Sequence, residues 1–468
     1  MFARVKPFRI LFPTAAAFAG GVLLGGLRAD ATPESQNPYA SVSQLGRVLV
    51  QVENNYVDPV ERDKLVEGAI KGMVENLDPH SAYLPPEDWR QFQSDTEGKF
   101  GGIGLEVDGR GEKLIVIAPL EGSPAERAGI KSGDQIVGVD GEDVIGQPLE
   151  KVVKRMRGGA GSKVKLTMLR ENKDPRKESS PKRDGDATAP EKTGSTLTFE
   201  LTREVIHVSA VTQKMLDGNV GYFRIKQFQE RTHAELLAGI AKLRSENRGE
   251  IAGVLLDLRS NPGGLVDEAT EIADEFLNTG GIYSMRHRGQ VIEDLKARSG
   301  GALAEVPVVV LVNEYSASAS ELLVGALQDN KRATVVGATT FGKGSVQSIL
   351  PLPNGAGLKL TTARYYTPSG HAIQADGIHP DVTVDHEIHG DGHVLRERDL
   401  PGHLTAEGPQ GGSSRRDGGP GTHVDAGAND DVLVGMLARE IPADPSSSND
   451  TALRIGYQML RTQMAKRK

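Results

Sequence analysis

Val306-Pro-Val-Val-Val-Leu-Val-Asn-Glu-Tyr-Ser-Ala-Ser-Ala-Ser-Glu321 runs from an apolar β-type stretch through small hydroxylated residues into a helical pattern that continues to Gln328. Val306–Val312 reads as a buried strand and Ala319–Gln328 as the helix it feeds. Working outward, Val220–Ile225, Ala234–Leu243, Ile251–Leu258 and Leu265–Leu277 alternate in the same way, and mostly strands follow Gln328. Strands alternating with helices predict an α/β core over residues 205–385.

The strand-to-helix junction is also where chemistry could be placed. The first backbone N–H groups of a helix have no intrahelical partner and point at whatever sits at that end. A serine there has oxyanion donors beside it. The same serines are equally good N-caps, so Ser316, Ser318 and Ser320 remain three alternatives at this level. The chain has no Gly-x-Ser-x-Gly elbow and no cysteine, which removes thiol catalysis and zinc-thiolate sites.

Downstream, Gly337-Ala-Thr-Thr-Phe-Gly-Lys343 satisfies the first part of a phosphate-binding loop. Gly344 then stands where that loop needs Ser or Thr, and Val346–Leu352 reads as strand where a helix should begin. Lys343 is otherwise a solvated turn lysine or a desolvated base. An unperturbed lysine, with a pKa of about 10.4, is almost wholly charged at neutral pH. Burial disfavours the ammonium, and Phe341 with the flanking glycines suits such a site. Serine paired with lysine points to a hydrolase whose base is not histidine.

The chain resembles the carboxy-terminal processing proteases, PDZ-containing serine peptidases of family S41. The resemblance rests on Leu77-Asp-Pro-His-Ser-Ala-Tyr83, Gly98-Lys-Phe-Gly-Gly-Ile-Gly104, Asp257-Leu-Arg-Ser-Asn-Pro-Gly-Gly264, Asn313 to Glu321, Thr340-Phe-Gly-Lys-Gly344, and Tyr365-Tyr-Thr-Pro-Ser-Gly370 with Asp376-Gly-Ile-His-Pro-Asp381. These strings occur in family order over residues 40–385. The resemblance implies that Ser318 is the nucleophile and Lys343 its base, since the family separates the two by 25 residues, as here. It further implies that Gln347 orients the dyad and that the N–H groups of Gly264 and Ala319 form the oxyanion hole. It implies no metal and no organic cofactor.

The rest of the chain fits a multidomain α/β protein. Residues 1–31 carry Arg4, Lys6 and Arg9, an apolar stretch Ile10–Leu27 and then Ala29-Asp-Ala31, the layout of a secretory signal or a retained membrane anchor. A periplasmic or cell-envelope location is expected. Residues 38–97 read as helical, with Leu45, Val48, Leu49 and Val52 on one face. Residues 98–204 read as an inserted, small β-rich PDZ domain on Asp140-Gly141 and Gly122-Ser-Pro-Ala-Glu-Arg-Ala-Gly-Ile130. Gly101, Gly102, Ile103, Gly104 and Leu105 would form the loop that holds a substrate's terminal carboxylate. Within this domain, 171–195 is expected to be a disordered insertion.

Residues 386–428 are expected to be a disordered linker, and 429–468 a helical segment able to pack on another subunit. His386, His389 and His393 with Asp385 and Asp391 are the one metal-like cluster, in a polar tract that scatters such residues freely. A net charge of −8 over 468 residues without a long basic run argues against nucleic acid. Expected partners are proteins or peptides with apolar C-termini, further copies of the chain, and a helical-repeat adaptor or activator. The other functional class is a PDZ adaptor that binds C-terminal tails and whose protease core stays latent until a partner activates it.

Overall fold

The computed structural model describes residues 39–110, 113–120, 122–171, 194–247, 250–384, 394–406 and 441–467. The chain forms two compact units, residues 1–69 and 70–468. In the first, Tyr39 precedes helix Ala40–Asn55, none of whose residues is buried, and Leu45 and Val48 lie exposed. Arg62 Nε and Nη2 donate to the two oxygens of Glu53 at 2.5 and 2.6 Å. The leader, residues 1–31, lies outside the described residues. Among those described, no helix is long and apolar enough to cross a membrane.

The second unit is built on a six-stranded sheet in the order Val211–Leu216, Val220–Ile225, Gly253–Asp257, Val308–Val312, Ala333–Gly337, Val382–Thr383. All neighbours are parallel except the first pair. Parallel strands must be covered on both faces, which is why they read as continuous apolar runs rather than alternating ones. Phe223, Leu256 and Val310 face helices Thr232–Glu246, Val266–Phe276 and Ala319–Asp329. The alternate residues Tyr222, Leu255, Val309 and Leu311 face helix Thr451–Arg467 through Leu453, Tyr457 and Leu460. The C-terminal helix therefore closes the core of its own chain.

A second, antiparallel sheet joins Ala82–Leu84, Gly357–Tyr366, Gly281–His287 and Gln290–Lys296, and Ser345–Pro351 also pairs with Gly357–Tyr366. Ala82–Leu84 sits in register with Gly357–Lys359. The peptidase core thus includes residues read from sequence as part of a separate leading helical region. That region holds helices Arg62–Glu75 and Pro86–Glu97, with the strand between them.

The inserted domain has its own sheet, Leu105–Arg110, Lys113–Pro119, Gln135–Val139, Lys163–Glu171 and Gly194–Thr202, and its own core of Ile103, Val116, Ile136, Val139, Val152, Leu166 and Leu201. Asp140 and Gly141 both have positive φ (52° and 84°), the type I′ hairpin geometry that an Asp-Gly pair favours. Chain entry Lys99–Gly102 and chain exit Glu204–His207 pair with each other as a two-stranded ribbon. Residues 172–193, most of the expected insertion, lie outside the described residues, and the strands on either side of it pair to their ends, Glu171 opposite Gly194.

The stretch expected to be a linker is partly folded: residues 394–406 include a 3-10 turn, Glu397–Asp399, packed against the core. Polar composition concealed this because the segment is held by hydrogen bonds and one buried charge, not by an apolar face.

Candidate active site

Strand Val308–Val312 delivers Asn313 to the carboxyl edge of the sheet, where Asn313 Oδ1 accepts the N–H of Ser260 at 2.8 Å and that of Tyr315 at 3.2 Å. This ties the loop after one central strand to the loop after its neighbour. Two of the three serines serve the same knot. Ser316 is buried and its Oγ donates to Leu258 O at 2.8 Å, while buried Ser320 donates to Asn261 O at 3.0 Å. Ser318 alone keeps part of its surface accessible. It occupies the N-cap of helix Ala319–Asp329 with φ 56° and ψ −116°, a conformation that L residues rarely adopt.

Glu321 fixes that conformation, and it is absent from the site residues assigned from sequence. Its carboxylate is fully buried; Oε2 accepts the N–H of Ser318 at 2.7 Å and that of Lys343 at 2.9 Å. Oε1 accepts the N–H of Gly342 at 2.7 Å and the hydroxyl of Thr340 at 2.5 Å. One oxygen therefore joins the backbone of Ser318 to that of Lys343. Burial pushes the Glu321 pKa up to about 7 against the pull of these four donors. Because every partner donates, the geometry itself calls for the ionised carboxylate. The signal was present in Ser318-Ala-Ser-Glu321, the spacing of a capping box.

Lys343 lies in the loop between strands Ala333–Gly337 and Ser345–Pro351, with no helix following, so the phosphate-loop reading has no structural counterpart. Its side chain retains some exposure but its amine is crowded by protein, and this burial, aided by the charge of Lys359, lowers its pKa to about 8. Gln347 Nε2 donates to Ser345 Oγ at 2.9 Å and to Thr361 Oγ1 at 3.3 Å, and among the described residues it bonds to neither Ser318 nor Lys343.

The glycine loop lies directly against Ser318. A Cβ on Gly263 would come within 2.8 Å of Ser318 Cβ and 2.9 Å of Ala319 N. Gly264 has φ 133°, and a Cβ there would run into the Phe228 carbonyl oxygen. Among the described residues, the N–H groups of Gly264 and Ala319 have no backbone acceptor, whereas their neighbours Gly263, Leu265 and Ser320 are all engaged.

A protein-family model for peptidase family S41 matches residues 219–384, a PDZ-domain model residues 91–169, and a model described as the activating protease CtpB N-terminal domain residues 27–88. A carboxy-terminal-processing protease of Bartonella bacilliformis is 36% identical over 459 residues, 97% of this chain and 96% of that protein. The chain belongs to peptidase family S41. A probable CtpA-like serine protease of Staphylococcus haemolyticus is 37% identical over 336 residues, 71% of this chain and 62% of that protein. Among solved structures, a photosystem II D1 C-terminal processing protease is 30% identical, covering 75% of this chain and 94% of that one with a TM-score of 0.44. The protein is thus a serine peptidase of the S41 family that carries a PDZ domain.

In this S41 peptidase the five residues expected to form a carboxylate-binding loop divide between elements. Gly101 and Gly102 lie in strand Lys99–Gly102, opposite Val205 and Glu204. Only Ile103 and Gly104 make the turn, their carbonyls accepting the N–H groups of Ala125 at 2.9 Å and Leu120 at 3.0 Å. Leu105 begins Leu105–Arg110, an edge strand of the PDZ sheet. The expected metal cluster at 385–393 lies outside the described residues.

Proposed function

We propose that this S41 peptidase is a periplasmic or cell-envelope endopeptidase that holds protein C-termini, preferably apolar ones, on its PDZ domain and cleaves with Ser318 as nucleophile and Lys343 as base. The observation that supports the reading is the shared Glu321 oxygen, which ties the backbone N–H of a strained, accessible serine to that of a desolvated lysine. With a pKa near 8, about a tenth of Lys343 is neutral at pH 7, enough for a general base.

Neutral Lys343 Nζ takes the Ser318 Oγ proton as Oγ attacks the scissile carbonyl. The resulting ammonium returns that proton to the leaving amine, which departs as the acyl-enzyme forms. Water, deprotonated by the same amine, then releases the acyl group and restores the serine. The N–H groups of Gly264 and Ala319 suit the developing oxyanion because Ala319 follows Ser318, Gly264 follows the glycine that packs on Ser318, and neither serves the fold's own ladder. Gln347 acts one step removed, bracing Ser345 beside the base. The edge strand Leu105–Arg110 suits an added peptide strand, with Ile103-Gly104 at its head for the terminal carboxylate. The basic, then apolar leader supports export.

Digestion of a loosely folded protein with an apolar C-terminus by wild type, Ser318→Ala and Lys343→Ala, read by mass spectrometry, tests this. Cleavage by wild type alone is expected. Cleavage that survives Ser318→Ala refutes the nucleophile, and tail binding without any cleavage replaces the reading with a PDZ adaptor.

A further inference from the structure

The S41 match ends at residue 384, yet residues 394–406 return to the loop that carries Lys343. The N–H of Glu397 donates to Phe341 O at 3.2 Å. Arg396 Nη2 donates to Thr340 O at 2.6 Å and to Asp376 O at 2.8 Å. The Glu397 side chain is fully buried: Oε2 meets His80 Nε2 at 2.7 Å, and Oε1 accepts from Gln374 Nε2 at 2.8 Å. Gln374 is itself buried, and its Oε1 accepts the N–H of Gly344 at 3.0 Å. Glu397 thus reaches both sides of Lys343, Phe341 through its backbone N–H and Gly344 through its carboxylate and Gln374.

Burying a carboxylate is costly, and an apolar residue would anchor a strap more cheaply. The partner that makes the burial tolerable is His80, from the Leu77–Tyr83 string that neither the dyad nor the PDZ domain uses. The same string supports Gln347: Asp78 Oδ1 accepts from Thr361 Oγ1 at 3.0 Å, and Thr361 Oγ1 accepts from Gln347. Lys343 is surrounded by charges from several elements. Lys359 on strand Gly357–Tyr366 disfavours its ammonium; Glu397 on the strap, Glu321 on helix Ala319–Asp329 and Asp78 favour it. Glu397 leads the three carboxylates in that influence.

We propose that Glu397 is a positioning residue for the base: the strap 394–406 brings its charge beside the Lys343 loop, His80 and Gln374 hold it there, and together they set the pH at which the lysine amine becomes free to accept a proton. This rests on the reading of Lys343 as base.

The test is kcat/KM against pH for the full chain and for Glu397→Gln, Glu397→Asp, His80→Gln and Lys343→Ala, with circular dichroism to confirm folding. Removing the carboxylate's charge releases the lysine proton more easily, so Glu397→Gln moves the acidic limb to lower pH by about half a unit or more. Glu397→Asp keeps the charge and leaves the limb in place even where the rate falls. His80→Gln replaces the imidazole that holds the Glu397 carboxylate at 2.7 Å, so the carboxylate shifts relative to the lysine and the limb moves from its wild-type position. A Glu397→Gln limb that coincides with wild type overturns the proposal. Should that variant not fold, an unmoved His80→Gln limb overturns it instead. Lys343→Ala separates the two readings: wild-type rates there refute the base itself, whereas an inactive Lys343→Ala beside an unmoved Glu397→Gln limb refutes only the role of Glu397.

Discussion

Arg259 Nη1 grips both carboxylate oxygens of Asp450, at 2.9 and 2.8 Å, while its Nε and Nη2 hold Asp257 at 3.0 and 2.7 Å. Arg259 lies two residues before Asn261, at the root of the glycine loop, and Asp450 immediately precedes the helix that closes the sheet. The guanidinium therefore anchors that helix to the loop beside Ser318.

Asp450→Ala is expected to lower unfolding free energy by about 1–3 kcal/mol, because it removes one partner of a largely buried cation and also the cap on Leu453 N–H at 3.0 Å. Asp450→Asn keeps a capping oxygen and loses less. Urea denaturation of the three proteins checks this, and an unchanged midpoint in Asp450→Ala argues against the anchor.

Glu321→Gln puts an amide NH2 among four donors. Two acceptor positions vanish and two donors face donors, so about 2–4 kcal/mol of stability should be lost. The turnover number should fall at least ~100-fold, since Ser318 and Lys343 lose their common tether. Thermal unfolding and steady-state kinetics are the readouts; a variant with wild-type kcat excludes this role.

Lys343→Met should stabilise the protein while abolishing cleavage. The folded pKa of about 8 lies below the unfolded value of 10.5. Below pH 8 both states carry the proton and the folded state bears the full cost of a desolvated ammonium. Between pH 8 and about 10.5 the unfolded state binds more protons, so wild-type stability rises with pH. The variant's advantage, about 1–3 kcal/mol at pH 7, should shrink across that window and disappear above it. Denaturation at pH 7, 9 and 10.5 measures the convergence.

Activity should follow the same group. With Lys343 as base, kcat/KM should rise about tenfold per pH unit below the lysine pKa and level off above about 8. A flat profile from pH 6 to 9 excludes a lysine of that pKa as the base.

Gly264→Ala should be among the most damaging single-atom additions in the core. Its φ of 133° is strained for any L side chain, and the added carbon meets the Phe228 carbonyl. Loss of more than ~100-fold in kcat with KM less affected is expected if the loop's N–H serves the transition state. An equal fall in binding and turnover would assign the loop to substrate positioning instead.

Local signals made much of this architecture legible. The apolar run Val308–Val312, the amphipathic pattern from Ala319 and the Asp140-Gly141 turn each follow from a period or a dihedral preference acting over a few residues. The capping spacing of Ser318 and Glu321 was equally local, yet the bond that the same carboxylate accepts from the Lys343 N–H was not, because it joins two distant stretches of chain. His80 and Glu397 are separated by 317 positions, and Arg259 and Asp450 by 191. No periodicity links such pairs; only the folded sheet brings them together. The strand Ala82–Leu84 was hidden for a similar reason, since three residues are too few to show a pattern and its partner lies at Gly357–Lys359.

The paired strands Lys99–Gly102 and Glu204–His207 also bear on how such a chain can diversify. Departure and return occur side by side, so the peptidase experiences the whole intervening domain as though it were one tight loop. Any module whose own ends lie as close together can be spliced at that seam without stretching the framework around Ser318. A chimera exchanging residues 103–203 for another module with adjacent ends is therefore expected to keep the fold of the peptidase core.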